Sequence, residues 1–155
     1  MGDTIERFIE DFAPGQRFAE ARPYTIDLAA AKAFAAEFDP QPFHLDEEAA
    51  ATSVFHGLAI SGWLTAAVTM RLIVLSGMKP AGGIVGAGID DMRWLRPVRP
   101  NDALRVESEV VEVRAPKPGH HVGVLRVRSV TFNQSDEPVM SLVSTLRVPA
   151  RAVTG

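Results

Sequence analysis

The sequence of 155 residues lacks several features that would assign it to a common class of protein. It contains no cysteine, which excludes disulfide bonds, thiolate catalysis and cysteine-ligated metals. Its formal net charge is −3, which argues against non-specific binding to nucleic acids, because that binding needs a basic surface. Its N-terminal segment has acidic residues where a secretory signal peptide has basic and apolar ones. We therefore expect a cytoplasmic protein that does not bind nucleic acid.

Long uninterrupted apolar runs are also missing. The most apolar segment, residues 57–78, contains Arg71 and is diluted by serine, threonine and glycine. A helix that is apolar nearly all round is found in protein cores as well as in membranes. Strand-like segments follow this one and need something to pack on, so we expect a buried helix and no membrane contact.

The residues that are present favour one globular domain. Hydrophobic residues make up 46% of the chain and charged residues 23%, which is enough for an ordinary core. The length favours a single domain, which we assign to residues 1–155.

The first half of the chain has mainly helical patterns after a possible strand at residues 17–25. Asp27 is a plausible N-cap for a helix that ends near Phe38, since Pro40 disfavours helical geometry at Asp39. A short helix capped by Asp46 follows. The long apolar helix is predicted from about Gly57 to Leu75.

The second half changes to the alternating pattern of strands. Four strands are predicted, at residues 83–98, 104–114, 122–132 and 139–148. The alternation changes phase at Val110 and Val111, which predicts a β-bulge there. One apolar helix followed by strands with short turns indicates an α+β fold, in which an antiparallel sheet wraps around the long central helix.

The segment "EFDPQPFH", residues 37–44, carries an unusual pair of ionisable residues. Asp39 and His44 would point to different faces of a helix, but Pro40 and Pro42 prevent that helix and stiffen the turn. Asp39 also follows a helix directly, where the helix dipole disfavours an acid. Two interpretations stay open from these residues alone. The pair acts in acid–base chemistry, or it braces the turn while His44 bonds a backbone carbonyl.

Three segments in this order resemble the MaoC-like dehydratases, which include the (R)-specific enoyl-CoA hydratases. They are "FDPQPFHLDEEAA", "FHGLAISGWLTAA" and "RWLRPVRPNDALRVESEVVEV", and the resemblance extends over about residues 15–148. It implies a single hot-dog domain and a homodimer or higher oligomer with active sites at subunit interfaces. It also implies an acyl-CoA or acyl-carrier-protein thioester as substrate, with no other cofactor.

The family motif is Ser-Gly-Asp-x-Asn-Pro-x-His. Asp39, Pro42 and His44 match it, whereas Glu37 and Phe38 replace the Ser-Gly pair. Gln41 replaces the asparagine, and Asn101 stands where the later motif usually has glycine. These departures preserve the catalytic residue types and alter their surroundings.

The resemblance implies a role for each of four residues. Asp39 and His44 would activate a water molecule and deliver its proton, a task that suits histidine. The N–H of Gly57, at the predicted start of the long helix, would stabilise the thioester oxygen, although the glycine alternatively only admits the chain to that helix. Thr65 would bond the thioester or Asp39, or else its own helix backbone. His56 is interpreted as a hydrogen-bonded structural histidine where the helix starts.

Other basic residues receive no firm role. Arg93, Arg96 and Arg99 are candidates for the phosphates of coenzyme A, while solvated surface charge is the alternative for each. His120 and His121 are interpreted as exposed turn residues, and we predict no metal site.

The expected activity is reversible hydration of a trans-2-enoyl-CoA to an (R)-3-hydroxyacyl-CoA. Hot-dog folds also catalyse thioester hydrolysis, so an acyl-CoA thioesterase is one alternative. A non-catalytic acyl-CoA-binding protein is another.

Overall fold

An antiparallel sheet forms the main layer of the computed structural model, which describes residues 5–152 of the chain. Its strands are β1 (Arg17–Thr25), β2 (Val85–Trp94), β3 (Ala103–Arg114), β4 (Val122–Phe132) and β5 (Pro138–Pro149). Their spatial order is β1-β3-β4-β5-β2, so β1 and β2 lie at the edges. All neighbouring strands in this sheet are antiparallel.

The α-helices of the described residues all lie between β1 and β2 in the sequence. They are α1 (Leu28–Phe38), α2 (Pro42–Leu45), α3 (Glu47–Ala51) and α4 (Gly62–Leu75). Both predicted caps are confirmed, since the carboxylates of Asp27 and Asp46 accept from the N–H groups of Ala30 and Ala49 at 2.9 and 2.7 Å. Among these helices, none is long and apolar enough to cross a membrane.

The core lies between α4 and the sheet. Val68, Leu72 and Ile73 of α4 are at most 6% exposed and belong to one apolar cluster with the buried strand residues. Burial of each such side chain contributes about 1.5–3 kcal/mol. Alternate residues of β3 face this core: Leu104, Val106, Ser108 and Val110. The predicted α+β hot-dog fold, with a sheet wrapped around a central helix, is confirmed.

The predicted bulge in β3 is also confirmed. The pairing of β3 with β4 shifts register between Val110 and Glu112, where the alternation of apolar residues changes phase. A bulge adds one residue to a strand and so moves the following side chains to the opposite face.

The predicted start of the long helix is wrong. Helix α4 begins at Gly62 rather than Gly57, and Ser61 is its N-cap. The preceding residues are held in a non-helical path by distant backbone partners, because Ile60 N–H donates to the Val98 carbonyl at 2.8 Å. Ala59 N–H likewise donates outside the helix, to Phe43.

Candidate active site

The turn at residues 39–44 brings Asp39 and His44 together. Asp39 is the C-cap of α1, and its N–H donates to the Ala35 carbonyl at 2.9 Å. The chain then forms the one-turn helix α2, with Pro42 at its first position, where no N–H is needed. As a result, His44 Nε2 lies 3.1 Å from Asp39 Oδ2.

A second contact fixes the orientation of the His44 ring. Its Nδ1 lies 2.6 Å from the Ala59 carbonyl oxygen, and a carbonyl only accepts, so Nδ1 carries a proton. Nε2 is therefore the nitrogen that faces the Asp39 carboxylate. His44 bonds a backbone carbonyl, as the second interpretation predicted, and it also lies against Asp39. The acid–base role of the pair stays a prediction.

The Asp39 carboxylate is held by two further side chains. Ser61 Oγ donates to Oδ2 at 2.7 Å, and Gln41 Nε2 donates to Oδ1 at 2.6 Å. Burial raises the pKa of Asp39, but the hydrogen bonds from Ser61 and Gln41, together with nearby His44, outweigh it. The net pKa lies below the ordinary value of 3.8, so Asp39 is a carboxylate at neutral pH.

The pair opens onto a cavity of about 400 Å³. Aromatic and aliphatic side chains dominate its walls: Phe43, Phe55, Ala59, Ile60, Trp63, Trp94, Leu95, Pro97 and Val98. Its polar side chains are Asp39, Gln41, His44, Thr65 and Arg96. A concave, mainly apolar cavity with a few convergent polar groups is typical of a small-molecule site.

The N-terminus of α4 forms part of the same cavity. Its first residue, Gly62, lines the cavity, and the first N–H groups of a helix have no partner within that helix. The positive end of the helix dipole lies at this terminus. A Cβ atom at position 62 would lie 2.7 Å from Trp94 Nε1, so a larger residue here would require the indole or the helix to shift. The arrangement suits an oxygen atom that gains negative charge.

Gly57 lies away from this arrangement. Its N–H already donates to the Ala50 carbonyl at 3.1 Å, and Gly57 is not among the cavity-lining residues. Its own carbonyl accepts from Arg99 Nη1 at 2.9 Å, within a loop that the Arg99 guanidinium holds together. His56 is exposed with a φ of 53° and precedes this glycine, so its prediction as the histidine where the helix starts is wrong.

Thr65 and the three arginines also have defined positions. Thr65 is buried, lines the cavity, and donates to the Ser61 carbonyl at 3.4 Å, which matches the interpretation that it bonds its own helix backbone. Arg93 pairs with Asp91. Arg96 lines the cavity and donates from Nη1 to the Pro138 carbonyl at 2.9 Å.

The two C-terminal histidines, His120 and His121, are exposed, as predicted. Within residues 5–152, no group of three histidine or acidic side chains is placed to hold a metal ion.

Sequence reasoning missed Ser61 and Gly62. A serine before a long apolar helix is a typical N-cap signal, and it was available in "ISGWLTAA". The predicted helix start was placed at Gly57 because the His56–Gly57 pair matches the family motif, whereas the helix begins at Gly62.

Comparison with known proteins decides the family. The model of the MaoC-like domain matches residues 11–131. The chain belongs to the MaoC-like dehydratase family. The crystal structure of the MaoC-like dehydratase from Rhodospirillum rubrum has a TM-score of 0.88 and 48% identity, and the match covers 95% of this chain and 99% of that one.

Two similar proteins are named as hydratases. The unliganded (R)-hydratase PhaJ1 from Pseudomonas aeruginosa has a TM-score of 0.72 and 28% identity, over 93% of this chain and 86% of that one. Mesaconyl-CoA hydratase from Cereibacter sphaeroides is 30% identical over 97% of this chain, which spans only 43% of that longer protein. These likenesses support a hydratase or dehydratase, that is, a hydro-lyase.

Proposed function

We propose that the protein reversibly hydrates a trans-2-enoyl-CoA to an (R)-3-hydroxyacyl-CoA. The observation that carries this proposal is the 3.1 Å contact between His44 Nε2 and Asp39 Oδ2 at the wall of an apolar cavity. The N-terminus of α4 lines the same cavity at Gly62, so the groups that we propose for proton transfer and for anion stabilisation share one space. Hydration of an enoyl thioester needs both groups.

The proposed reaction begins with a water molecule bound to Asp39 and His44. The pair removes a proton from this water as the water oxygen forms a bond to Cβ of the enoyl group. The electrons of the carbon–carbon double bond move toward the thioester, whose oxygen gains negative charge beside the N–H of Gly62. The resulting enolate then takes the proton back at Cα, which completes the addition of one water. Because one pair handles both steps, the hydrogen and hydroxyl add to the same face.

We assign the anion-stabilising role to Gly62 instead of Gly57. Gly62 is the first residue of α4 and lines the cavity, whereas the N–H of Gly57 is already bonded to Ala50. Thr65 stays a candidate for substrate contact, because its buried side chain lines the same cavity.

The test is incubation of the purified protein with crotonyl-CoA, followed by two assays. Loss of enoyl absorbance without release of free thiol, and formation of (R)-3-hydroxybutyryl-CoA, support the proposal. Release of free thiol would establish a thioesterase instead. Binding without either signal would establish a non-catalytic acyl-CoA-binding protein. A panel that includes mesaconyl-CoA, the substrate named for one relative, and acyl-carrier-protein thioesters then defines the acyl group and its carrier.

We also propose that the protein is a homodimer formed through β2. This strand is an edge of the sheet, so one side of its backbone has no partner strand in the described chain. Val85 and Ile89 on β2 are 53% and 57% exposed, and Met70 and Val74 of α4 are 43% and 49% exposed. A long exposed edge with apolar side chains favours pairing with a second strand. An apolar groove of about 400 Å³ between α4 and β2 continues this surface.

A further inference from the structure

A series of hydrogen bonds connects the wall of the cavity to the Asp39 carboxylate. Trp94, at the end of β2, donates from its indole Nε1 to the Gly62 carbonyl oxygen at 2.8 Å. The same peptide group carries the N–H of Trp63, which donates to Ser61 Oγ at 3.3 Å. Ser61 Oγ in turn donates to Asp39 Oδ2 at 2.7 Å. Hydrogen bonds in series polarise one another, so each strengthens the next.

The two tryptophans of the cavity wall differ in the hydrogen bonding of their indole N–H groups. Their rings are 5.3 Å apart and nearly perpendicular, and Trp63 and Trp94 are 58% and 45% exposed. Within residues 5–152, the Trp94 indole donates to backbone, whereas the Trp63 indole makes no hydrogen bond. The absence of a side chain at Gly62 permits the close approach of Trp94, since a Cβ atom there would lie 2.7 Å from Nε1. The Trp94 ring is therefore fastened to the first turn of α4.

We propose that Trp94 is a positioning residue for Asp39, acting through the Gly62–Trp63 peptide and Ser61. The proposal refines the hydration reaction described above and rests on it. The indole N–H holds the Gly62 carbonyl and thereby orients the peptide N–H that bonds Ser61 Oγ. Ser61 then directs its own proton at Asp39. Without the indole N–H, the Gly62–Trp63 peptide group and the Ser61 hydroxyl can adopt other orientations.

The expected consequence for Asp39 has a definite sign. The hydrogen bond from Ser61 favours the charged carboxylate, so weakening it raises the pKa of Asp39. The titratable group in contact with this carboxylate is His44, and Arg96 lines the same cavity. Because hydration needs Asp39 as a carboxylate, the acidic limb of the kcat/KM profile should move to higher pH.

The test compares Trp94→Phe with Trp63→Phe. Both changes keep an aromatic ring in the cavity wall, but only Trp94→Phe removes a hydrogen bond to backbone. For Trp94→Phe we expect kcat to fall about fivefold, in keeping with one neutral hydrogen bond, and the acidic limb to move to higher pH. Trp63→Phe should change KM and leave the acidic limb in place. Identical pH profiles for the two variants would overturn the proposal.

Ser61 provides a second pair of variants. Ser61→Ala should move the acidic limb in the same direction as Trp94→Phe, and Ser61→Thr, which keeps the hydroxyl, should restore it. The double variant tests whether Trp94 acts through Ser61. If Trp94→Phe moves the acidic limb of the kcat/KM profile equally in the wild type and in a Ser61→Ala background, the two residues act independently. That result would show that Trp94 does not act on Asp39 through Ser61.

A third measurement needs no turnover and so separates this proposal from the proposed function. Carboxyl ¹³C NMR follows the titration of Asp39, with Asp39→Asn to assign its signal. We expect the pKa of Asp39 to be higher in Trp94→Phe than in the wild type and unchanged in Trp63→Phe. An Asp39 titration that is the same in Trp94→Phe and wild type would overturn the positioning role, whether or not the protein hydrates crotonyl-CoA.

The indole signals offer an internal check, because the sequence contains two tryptophans. The Trp94 N–H should exchange with solvent more slowly than the Trp63 N–H, although both rings are about half exposed. Equal exchange rates would mean that the Trp94 hydrogen bond does not persist in solution.

Discussion

Ser61 Oγ lies 2.7 Å from Asp39 Oδ2, although 22 residues separate the two in sequence. The same Oγ accepts the Trp63 N–H at the start of α4. One hydroxyl therefore connects the acid to the helix terminus where we propose that the thioester oxygen binds. Ser61 is therefore the residue that links Asp39 directly to the start of α4.

Ser61→Ala should reduce both stability and activity. The loss of an N-cap costs about 1 kcal/mol of unfolding free energy, and the loss of a hydrogen bond to a charged group should lower kcat/KM about tenfold or more. Urea unfolding and crotonyl-CoA hydration measure the two effects. Asp46→Ala is a matched control, because Asp46 caps α3 and does not line the cavity. It should lose similar stability and keep its activity. Equal activities for the two variants would contradict the role of Ser61.

Asp39 should make stability depend on acidic pH. Its folded-state pKa is lower than its ordinary value of 3.8, so the unfolded chain binds more protons at this residue. The contribution is therefore present above the unfolded pKa and is lost as pH falls through the folded pKa. The Asp39 side chain is only 13% exposed. Urea unfolding of wild type and Asp39→Asn should give a stability difference that shrinks below about pH 4. A difference independent of pH would contradict the assignment.

Much of the fold follows from periodicity in the sequence. The alternation in β3, β4 and β5 predicts their extent closely, and the change of phase at Val110 predicts the bulge. The caps Asp27 and Asp46 are local signals, since each carboxylate bonds an N–H only three residues ahead. The strands, the bulge and the caps can be predicted from local sequence because they do not depend on contacts between distant residues.

The start of α4 could not be derived in this way. Residues 58–60 are apolar and buried, so their composition matches a buried helix as well as an extended segment. The partners that hold Ala59 and Ile60 extended are Phe43 and Val98, and these are distant in sequence. For the same reason the sequence indicated the Asp39–His44 pair, because Pro40 and Pro42 stiffen a short turn, but it could not reveal that Ser61 completes the pair.

Gly62→Ala should disrupt the site by overpacking. The added Cβ atom would lie 2.7 Å from Trp94 Nε1 and 2.9 Å from Trp94 Cε2, so the indole or the helix must move. Overpacking of this kind costs about 1–3 kcal/mol. The variant should also lose most of its hydration activity, because the N–H groups at the start of α4 shift.

A double-mutant cycle separates the clash from other effects of Gly62→Ala. In a Trp94→Ala background the added methyl group has room, so the further loss of stability should be clearly smaller than in the wild-type background. Additive losses would show that the clash with Trp94 is not the cause.

Ile89→Lys should weaken the proposed homodimer. Ile89 is 57% exposed on the edge strand β2, and a buried lysine there would oppose pairing with a second copy. Val122→Lys is the matched control, since Val122 is 44% exposed on β4, in the interior of the sheet. Sedimentation analysis should show a dimer for wild type and Val122→Lys and a monomer for Ile89→Lys. A monomeric wild type would contradict the proposal.

The most direct test of the account is the hydration of crotonyl-CoA by His44→Ala and Asp39→Asn beside the wild type. His56→Ala is the control for loss of an imidazole, because His56 is exposed and does not line the cavity. Removal of a positioned acid–base group should lower kcat by at least about a hundredfold, while circular dichroism shows that the variants stay folded. We predict that His56→Ala keeps the wild-type rate and that the other two variants lose it. Near wild-type rates in folded His44→Ala and Asp39→Asn would contradict the central claim.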